Sequence, residues 1–261
     1  MGMLDVYPLF NIEPVKGRGP YIFGKDGTKY LDFYGGHAVI SIGHSHPKYV
    51  EALKDQIDNL VFYSNSIIND LQNQVAESIV DFSGIDGDYN LFMINSGAEA
   101  IENAMKLASF ANGRNRFIAL RASFHGRTAA AISVTHKMKH RTAFDIDAER
   151  TFIDINDSER LNEELSKGDV CAVIVEPIQG IAGINVCSDD FLKIISKRTK
   201  ETGAIFIADE PELSLHVLWQ EKLISSLRGL NPNAQIISAT HSPDIVGSLS
   251  KQAIDMESLI K

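Results

Sequence analysis

Cysteine is scarce. Cys171 and Cys187 are the only two in 261 residues, too few for a disulfide framework and without metal-ligand spacing, so the expected setting is a reducing cytoplasm. There is no long apolar run and no signal-peptide core at the N-terminus, which argues against a membrane partner. Positive charge is short as well: 25 Lys and Arg face 34 Asp and Glu, a formal net charge of −9 that repels nucleic acid and anionic lipid. The densest basic patch, Lys137-Met138-Lys139-His140-Arg141, reads as a solvated loop. Repeats, low-complexity tracts and Pro/Gly/Ser linkers are all missing. The hydrophobic content of 44% is enough for a full core.

Tyr21 to Phe23 and Lys29 to Phe33, joined through Asp26-Gly27, read as a β-hairpin. Pro47 opens a helix with Val50, Leu53, Ile57 and Leu60 on one face, and Leu71, Val75 and Ile79 mark the next. Strands then alternate with helices: strand 90–94, a helix from Ser96, strand 116–120, a helix around Ala129, strand 170–176, helix 191–199 and strand 204–208. This alternation predicts an α/β fold, a mostly parallel sheet with helices on both faces and a short N-terminal hairpin region.

Chemistry collects at the predicted strand ends. Asn95-Ser96-Gly97-Ala98-Glu99-Ala100 follows a strand and begins a helix, where free N–H groups and the positive dipole end suit a phosphate. The same residues also suit an ordinary serine cap. Ser123-Phe124-His125-Gly126-Arg127-Thr128 sets an aromatic ring after the next strand, either as core or as a platform for a flat ligand. Val175-Glu176-Pro177-Ile178-Gln179-Gly180 and Asp209-Glu210 end two further strands. An acidic pair at a buried strand end suits an Asp that holds a protonated ring nitrogen, or an Asp for Mg²⁺ beside a Glu that activates water.

In order and spacing, these motifs, together with Leu31-Asp32-Phe33-Tyr34-Gly35-Gly36-His37-Ala38-Val39, Gly43-His44-Ser45-His46-Pro47 and Phe62-Tyr63-Ser64-Asn65, resemble the fold-type I, class III aminotransferases, most closely the acylornithine (acetylornithine) enzymes. The likeness runs over residues 4–210. It implies pyridoxal 5′-phosphate as cofactor, with Ser96, Gly97 and Ala98 at its phosphate, Phe124 stacked on its ring, His125 beside it and Asp209 at the ring nitrogen. Glu176 and Gln179 are expected to line the substrate side and support the surroundings of Asp209. Ile181 stands where many relatives carry a glutamate. The implied reaction moves an amino group from an acylated ornithine to 2-oxoglutarate. Class III enzymes are homodimers; whether this chain is one stays open.

The resemblance changes after Asp209. Asp209-Glu210-Pro211-Glu212-Leu213-Ser214-Leu215-His216 and Gln235 to Pro243 resemble the Walker B to switch-histidine part of ABC-type ATPases. In that family Glu210 is the catalytic carboxylate, Ser214-Leu215-His216 belongs to the D-loop and His241 senses the γ-phosphate. The required phosphate loop is missing: Gly19 to Lys25 is followed by Asp26, not Ser or Thr, and leads into a hairpin. Three lysines follow Asp209. Lys222 reads as an exposed face of helix 217–227 and Lys261 as the terminus, which leaves Lys251 as the candidate for covalent cofactor attachment. The expected segments are 1–48 (hairpin region), 49–210 (large domain) and 211–261 (ATPase-like, continuing the same sheet). The whole reads as a chimera that is aminotransferase-related with its activity lost, the alternatives being an ATP-binding or interaction module of the ABC class and a folded chain with no activity.

Overall fold

The computed structural model describes residues 9–40, 42–64, 66–83, 90–136, 141–145, 148–209 and 236–239. By its contacts the chain forms two units, the first reaching to Asn69 and the second beginning at Asp70.

In the first unit, β1 (Pro14–Arg18), β2 (Tyr21–Gly24) and β3 (Lys29–Leu31) form an antiparallel sheet in that order. The β2–β3 turn closes because Gly27 takes φ +83° and the Asp26 carboxylate accepts from Thr28 N at 3.0 Å and Thr28 Oγ1 at 2.8 Å. Asp32 organises the following glycine turn: Oδ1 accepts from Tyr34 N and Gly35 N, and His44 Nε2 lies 2.7 Å from Oδ2. The His44 contact and then these amides hold the Asp32 carboxyl below the usual carboxylate range. Helices α1 (Gly35–Ala38) and α2 (Pro47–Asn59) complete the described part of this unit. Pro47 sits in the first turn of α2, and α2 buries none of its residues.

The second unit is built on five parallel strands in the order β10-β9-β6-β4-β5, namely Ile236–Ala239, Ile205–Asp209, Val170–Val175, Arg116–Leu120 and Arg150–Ile153. The side chains of β4, β6 and β9 alternate between two faces, and both faces are covered. Ile118, Leu120, Val173, Val175, Phe206 and Ala208 pack with residues of α6 (Ser158–Leu165) and α7 (Asp189–Thr202). Phe117, Ala119, Ala172, Ile174 and Ile207 pack with α4 (Gly97–Asn112) and α5 (Ala131–Val134). Burial on both faces is why these strands read as almost unbroken apolar runs. Helices α4 and α7 stop at Gly113 and Gly203, both left-handed at φ +69°. Helix α3 (Asp70–Ser83) and the two-residue strands β7 (Ile178–Gln179) and β8 (Asn185–Val186), paired antiparallel, complete the described elements.

The α/β architecture, the parallel sheet covered on both faces and the N-terminal hairpin are as the sequence predicts. The expected strand at 90–94 is absent: these residues join no ladder among the described residues, and Leu91, Phe92 and Met93 remain 37, 66 and 49% exposed. A strand needs a neighbour to satisfy its amides, and apolar composition alone does not supply one. The helix expected around Ala129 is a single turn, α5. Strands β1, β5, β7 and β8 and helix α6 escaped the sequence reading; α6 carries only two apolar side chains, Leu161 and Leu165, so its helical period is hardly visible. The predicted helix 217–227 lies outside the described residues. Among the described residues no helix is long and apolar enough to cross a membrane.

Candidate functional site

Parallel strands deliver their C-terminal ends to one edge of the sheet, and β4, β6 and β9 are neighbours there. The β6–β9 register pairs Val175 with Ala208, so Glu176 and Asp209 leave adjacent strands side by side. Asp209 closes β9, Glu176 follows β6, and the loop after β4 carries Phe124 and His125.

This edge is a buried polar cluster in which Asp209 is 4% exposed, Glu176 6% and His125 3%. His125 Nδ1 lies 2.6 Å from Asp209 Oδ2, while His125 Nε2 is buried with no partner among the described residues. Glu176 Oε2 accepts from the Phe124 amide at 3.1 Å. Burial pushes the Glu176 carboxyl up from 4.5 to about 7, and nearby Asp209 pushes the same way, against His125 and the Phe124 amide. Thr135 holds the loop from behind, its Oγ1 accepting from His125 N at 2.9 Å and facing the carbonyls of Gly126 and Ala131.

The phosphate-type motif is tied to the same edge. Gly126 has φ +129°, and a Cβ there would lie 2.7 Å from Ala98 Cβ, so only glycine lets the Phe124 loop reach the first turn of α4. Glu102 of α4 reinforces the contact by accepting from Ala130 N and Ala131 N at 2.7 and 3.3 Å. Ser96 is the α4 cap: its Oγ accepts from Glu99 N at 3.3 Å, while Glu99 Oε2 accepts from Asn95 N at 2.8 Å. The cap leaves the Gly97 and Ala98 amides without an acceptor among the described residues, at the positive end of a 16-residue helix.

The residues predicted from sequence therefore sort themselves. Phe124, His125, Glu176 and Asp209 converge, and Gly126 brings Ser96, Gly97 and Ala98 beside them. Gln179 has other partners: it is fully buried, its Nε2 donates to Arg121 O at 2.8 Å and its Oε1 accepts from Asn185 at 3.2 Å, so it fastens β7 and β8 to the end of β4. Glu210, Ser214 to His216, Lys222, His241, Lys251 and Lys261 lie outside the described residues. Within the basic patch only Arg141 is described, and its Nη2 donates to Ser133 O and Ile132 O at the end of α5. The sequence reading missed Thr135 and Gly126 as parts of the site; the glycine directly after Phe124-His125 was the available signal for a close backbone approach.

Chemically, the edge offers free amides at a helix start for an anion, a half-buried aromatic side chain, and a buried carboxylate whose second oxygen, Oδ1, is not engaged by His125. A flat molecule with an anionic arm and a protonated ring nitrogen satisfies all three.

Residues 5–212 match the family described as Aminotransferase class-III, and residues 195–247 match one described as AAA domain, putative AbiEii toxin, Type IV TA system. An acetylornithine aminotransferase of Methanosarcina acetivorans is 41% identical over 197 residues, covering 75% of this chain and 49% of the relative. A [LysW]-aminoadipate semialdehyde/glutamate semialdehyde transaminase of Sulfolobus acidocaldarius is 36% identical over 213 residues, covering 80% of this chain and 54% of the relative. Among solved structures, the ornithine aminotransferase of Toxoplasma gondii ME49 superposes with a TM-score of 0.76 at 27% identity, covering 86% of this chain and 54% of that one. The N-acetylornithine aminotransferase of Stenotrophomonas maltophilia K279a gives 0.69 at 26%, covering 90% and 60%. The chain spans about half the length of the curated relatives it matches.

Proposed function

Because the chain belongs to the class-III aminotransferase family, we propose that the edge formed by β4, β6 and β9 binds pyridoxal 5′-phosphate and that the chain is an aminotransferase-related protein whose own turnover is lost. When bound, the cofactor supplies an electron sink for the pair released at a substrate Cα. In this reading the Gly97 and Ala98 amides, with the Ser96 hydroxyl, hold the phosphate. Phe124 would cover the ring, and Asp209 would face the ring nitrogen and keep it protonated. His125 holds Asp209 in position through Oδ2. The observation that carries the reading is the 2.6 Å His125–Asp209 contact, with Glu176 beside it and Gly126 docking the whole loop on α4.

The reaction implied by the resemblance to the acylornithine enzymes, transfer of an amino group from an acylated ornithine to 2-oxoglutarate, needs a lysine to hold the cofactor and move a proton. Between Asp209 and residue 261 the lysines are Lys222, Lys251 and Lys261, in a stretch that matches the other family as far as residue 247. That supports reading the chain as a hybrid with non-covalent cofactor binding, Lys251 being the candidate for any attachment. A second reading, nucleotide binding with Glu210 as the catalytic carboxylate, is favoured by the AAA-domain match alone. Against it, Gly19 to Lys25 runs from the β1–β2 turn into a strand and opens no helix.

The test is a titration of the protein with pyridoxal 5′-phosphate, followed by absorbance before and after borohydride. We expect a bound spectrum distinct from the free cofactor, without a fixed label. Asp209→Ala should weaken binding roughly ten- to hundred-fold, the usual worth of a hydrogen bond to a charged group. Identical spectra with and without protein at high concentration would defeat the proposal.

A further inference from the structure

Glu176 is not explained by the cofactor contacts. It follows β6, and its carboxyl is turned toward the loop after β4. One oxygen takes the Phe124 amide at 3.1 Å, and the group lies close enough to His125 and Asp209 for each to shift its proton affinity. Among the described residues the remaining titratable neighbour is Cys187, on the approach to α7. Its thiol, pushed up to about 12 by burial and then by Glu176, donates toward the Glu176 carbonyl at 3.7 Å. Cys187 therefore stays a neutral thiol, and among the described residues His125 and Asp209 are the charged or chargeable groups that face Glu176.

We infer that Glu176 is a positioning residue: its carboxyl clamps the backbone that carries Phe124 onto the strand ends and couples that loop to the charge at the His125–Asp209 pair. The inference rests on the cofactor-site reading for its purpose, but not for its physics. A carboxylate accepts from an amide with charge assistance and a protonated carboxyl accepts more weakly, so the grip on Phe124 tightens as Glu176 ionises. Ionisation also sets a second negative charge beside Asp209, where the proposed ring proton would sit. The Phe124 position and the electrostatics of the ring site thus change together, through one side chain.

The sign for stability is opposite to that for grip. The folded chain holds the Glu176 proton up to about pH 7, whereas the unfolded chain releases it near 4.5, so the fold loses stability as pH rises across that window. Wild type and Glu176→Gln are compared by amide NMR of the cofactor-free protein from pH 5 to 8.5, with melting temperatures over the same range. The expected result is a Phe124 amide shift that titrates with a midpoint near 7 in wild type and stays flat in Glu176→Gln, together with a shallower fall of melting temperature in the variant. Glu176→Asp, which keeps the charge but shortens its reach, should lose most of the amide shift. A Phe124 amide that does not titrate, or that titrates equally in Glu176→Gln, overturns the inference. Pyridoxal 5′-phosphate titrations at pH 8 on the same samples are read separately: no binding by wild type whose Phe124 amide titrates would sink the cofactor reading and leave the clamp standing, whereas equal binding by wild type and Glu176→Gln would refute the coupling to the ring site.

Discussion

At the scale of single residues, glycine and buried acids do most to shape the site. Gly126 combines a backbone angle that side chains avoid with a 2.7 Å approach to Ala98 Cβ, so Gly126→Ala meets both strain and overlap. The change should destabilise the second unit by about 2–4 kcal/mol, read as a fall in the urea midpoint at unchanged slope. It should also weaken cofactor binding, because the Phe124 loop must lift from α4. A midpoint within error of wild type would mean the loop does not need this contact. Ser96 shows the limit of residue-scale reading: phosphate holder and ordinary helix cap are compatible, since the hydroxyl caps Glu99 N while the amides of the next two residues remain available.

Among the elements, β4, β5, β6 and α6 are locked together at the end of the sheet away from the site. Arg116 at the start of β4 is 6% exposed, donates to Thr151 Oγ1 and Glu164 Oε2 at 2.9 Å each, and also pairs with Asp169 before β6. Glu164 is 1% exposed. Burial would raise its pKa, but Lys167, Arg116 and Arg160 outweigh that and hold its carboxyl below the usual range. Arg116→Met should therefore cost about 3 kcal/mol, the low end for breaking a buried pair, because Lys167 and Arg160 still face the orphaned carboxylate. Chemical denaturation of Arg116→Met and of the double variant Arg116→Met/Glu164→Leu checks this. The double variant should recover much of the loss, and a double variant no better than the single would show that packing, not the stranded charge, sets the cost.

For the whole molecule the question is turnover. We expect none detectable, or very little, with an acylornithine and 2-oxoglutarate. Loss of a positioned general base alone removes about 10² to 10⁴-fold in rate, and poorer substrate orientation multiplies the deficit. Coupled detection of glutamate formation, with wild type and Lys251→Ala in parallel, gives the answer. Ordinary enzymatic rates that vanish in Lys251→Ala, along with a borohydride-fixed label, would make Lys251 the attachment site and the proposal of lost activity wrong.

Much of this was local information and so could be read along the chain. The apolar runs at 116–120, 170–175 and 205–208, the serine that begins helix α4 and the Asp-Gly hairpin each declare themselves within a few residues, because backbone sterics and burial on both sheet faces act locally. The motif series from Asp32 to Asp209 likewise carried the family. Tertiary structure decided what depends on neighbours distant in sequence. Residues 90–94 look like a strand but find no ladder partner among the described residues, while Arg150 to Ile153 finds one in β4. Gln179 turns to Arg121 and Asn185. The β6–β9 register sets Glu176 beside Asp209, and the glycine contact with Ala98 brings the Phe124 loop over them. A side chain's type is written in the sequence, but its proton affinity and its partners come from the dielectric and the charges that folding places around it, which is why Glu176 could be named early and understood only in the fold.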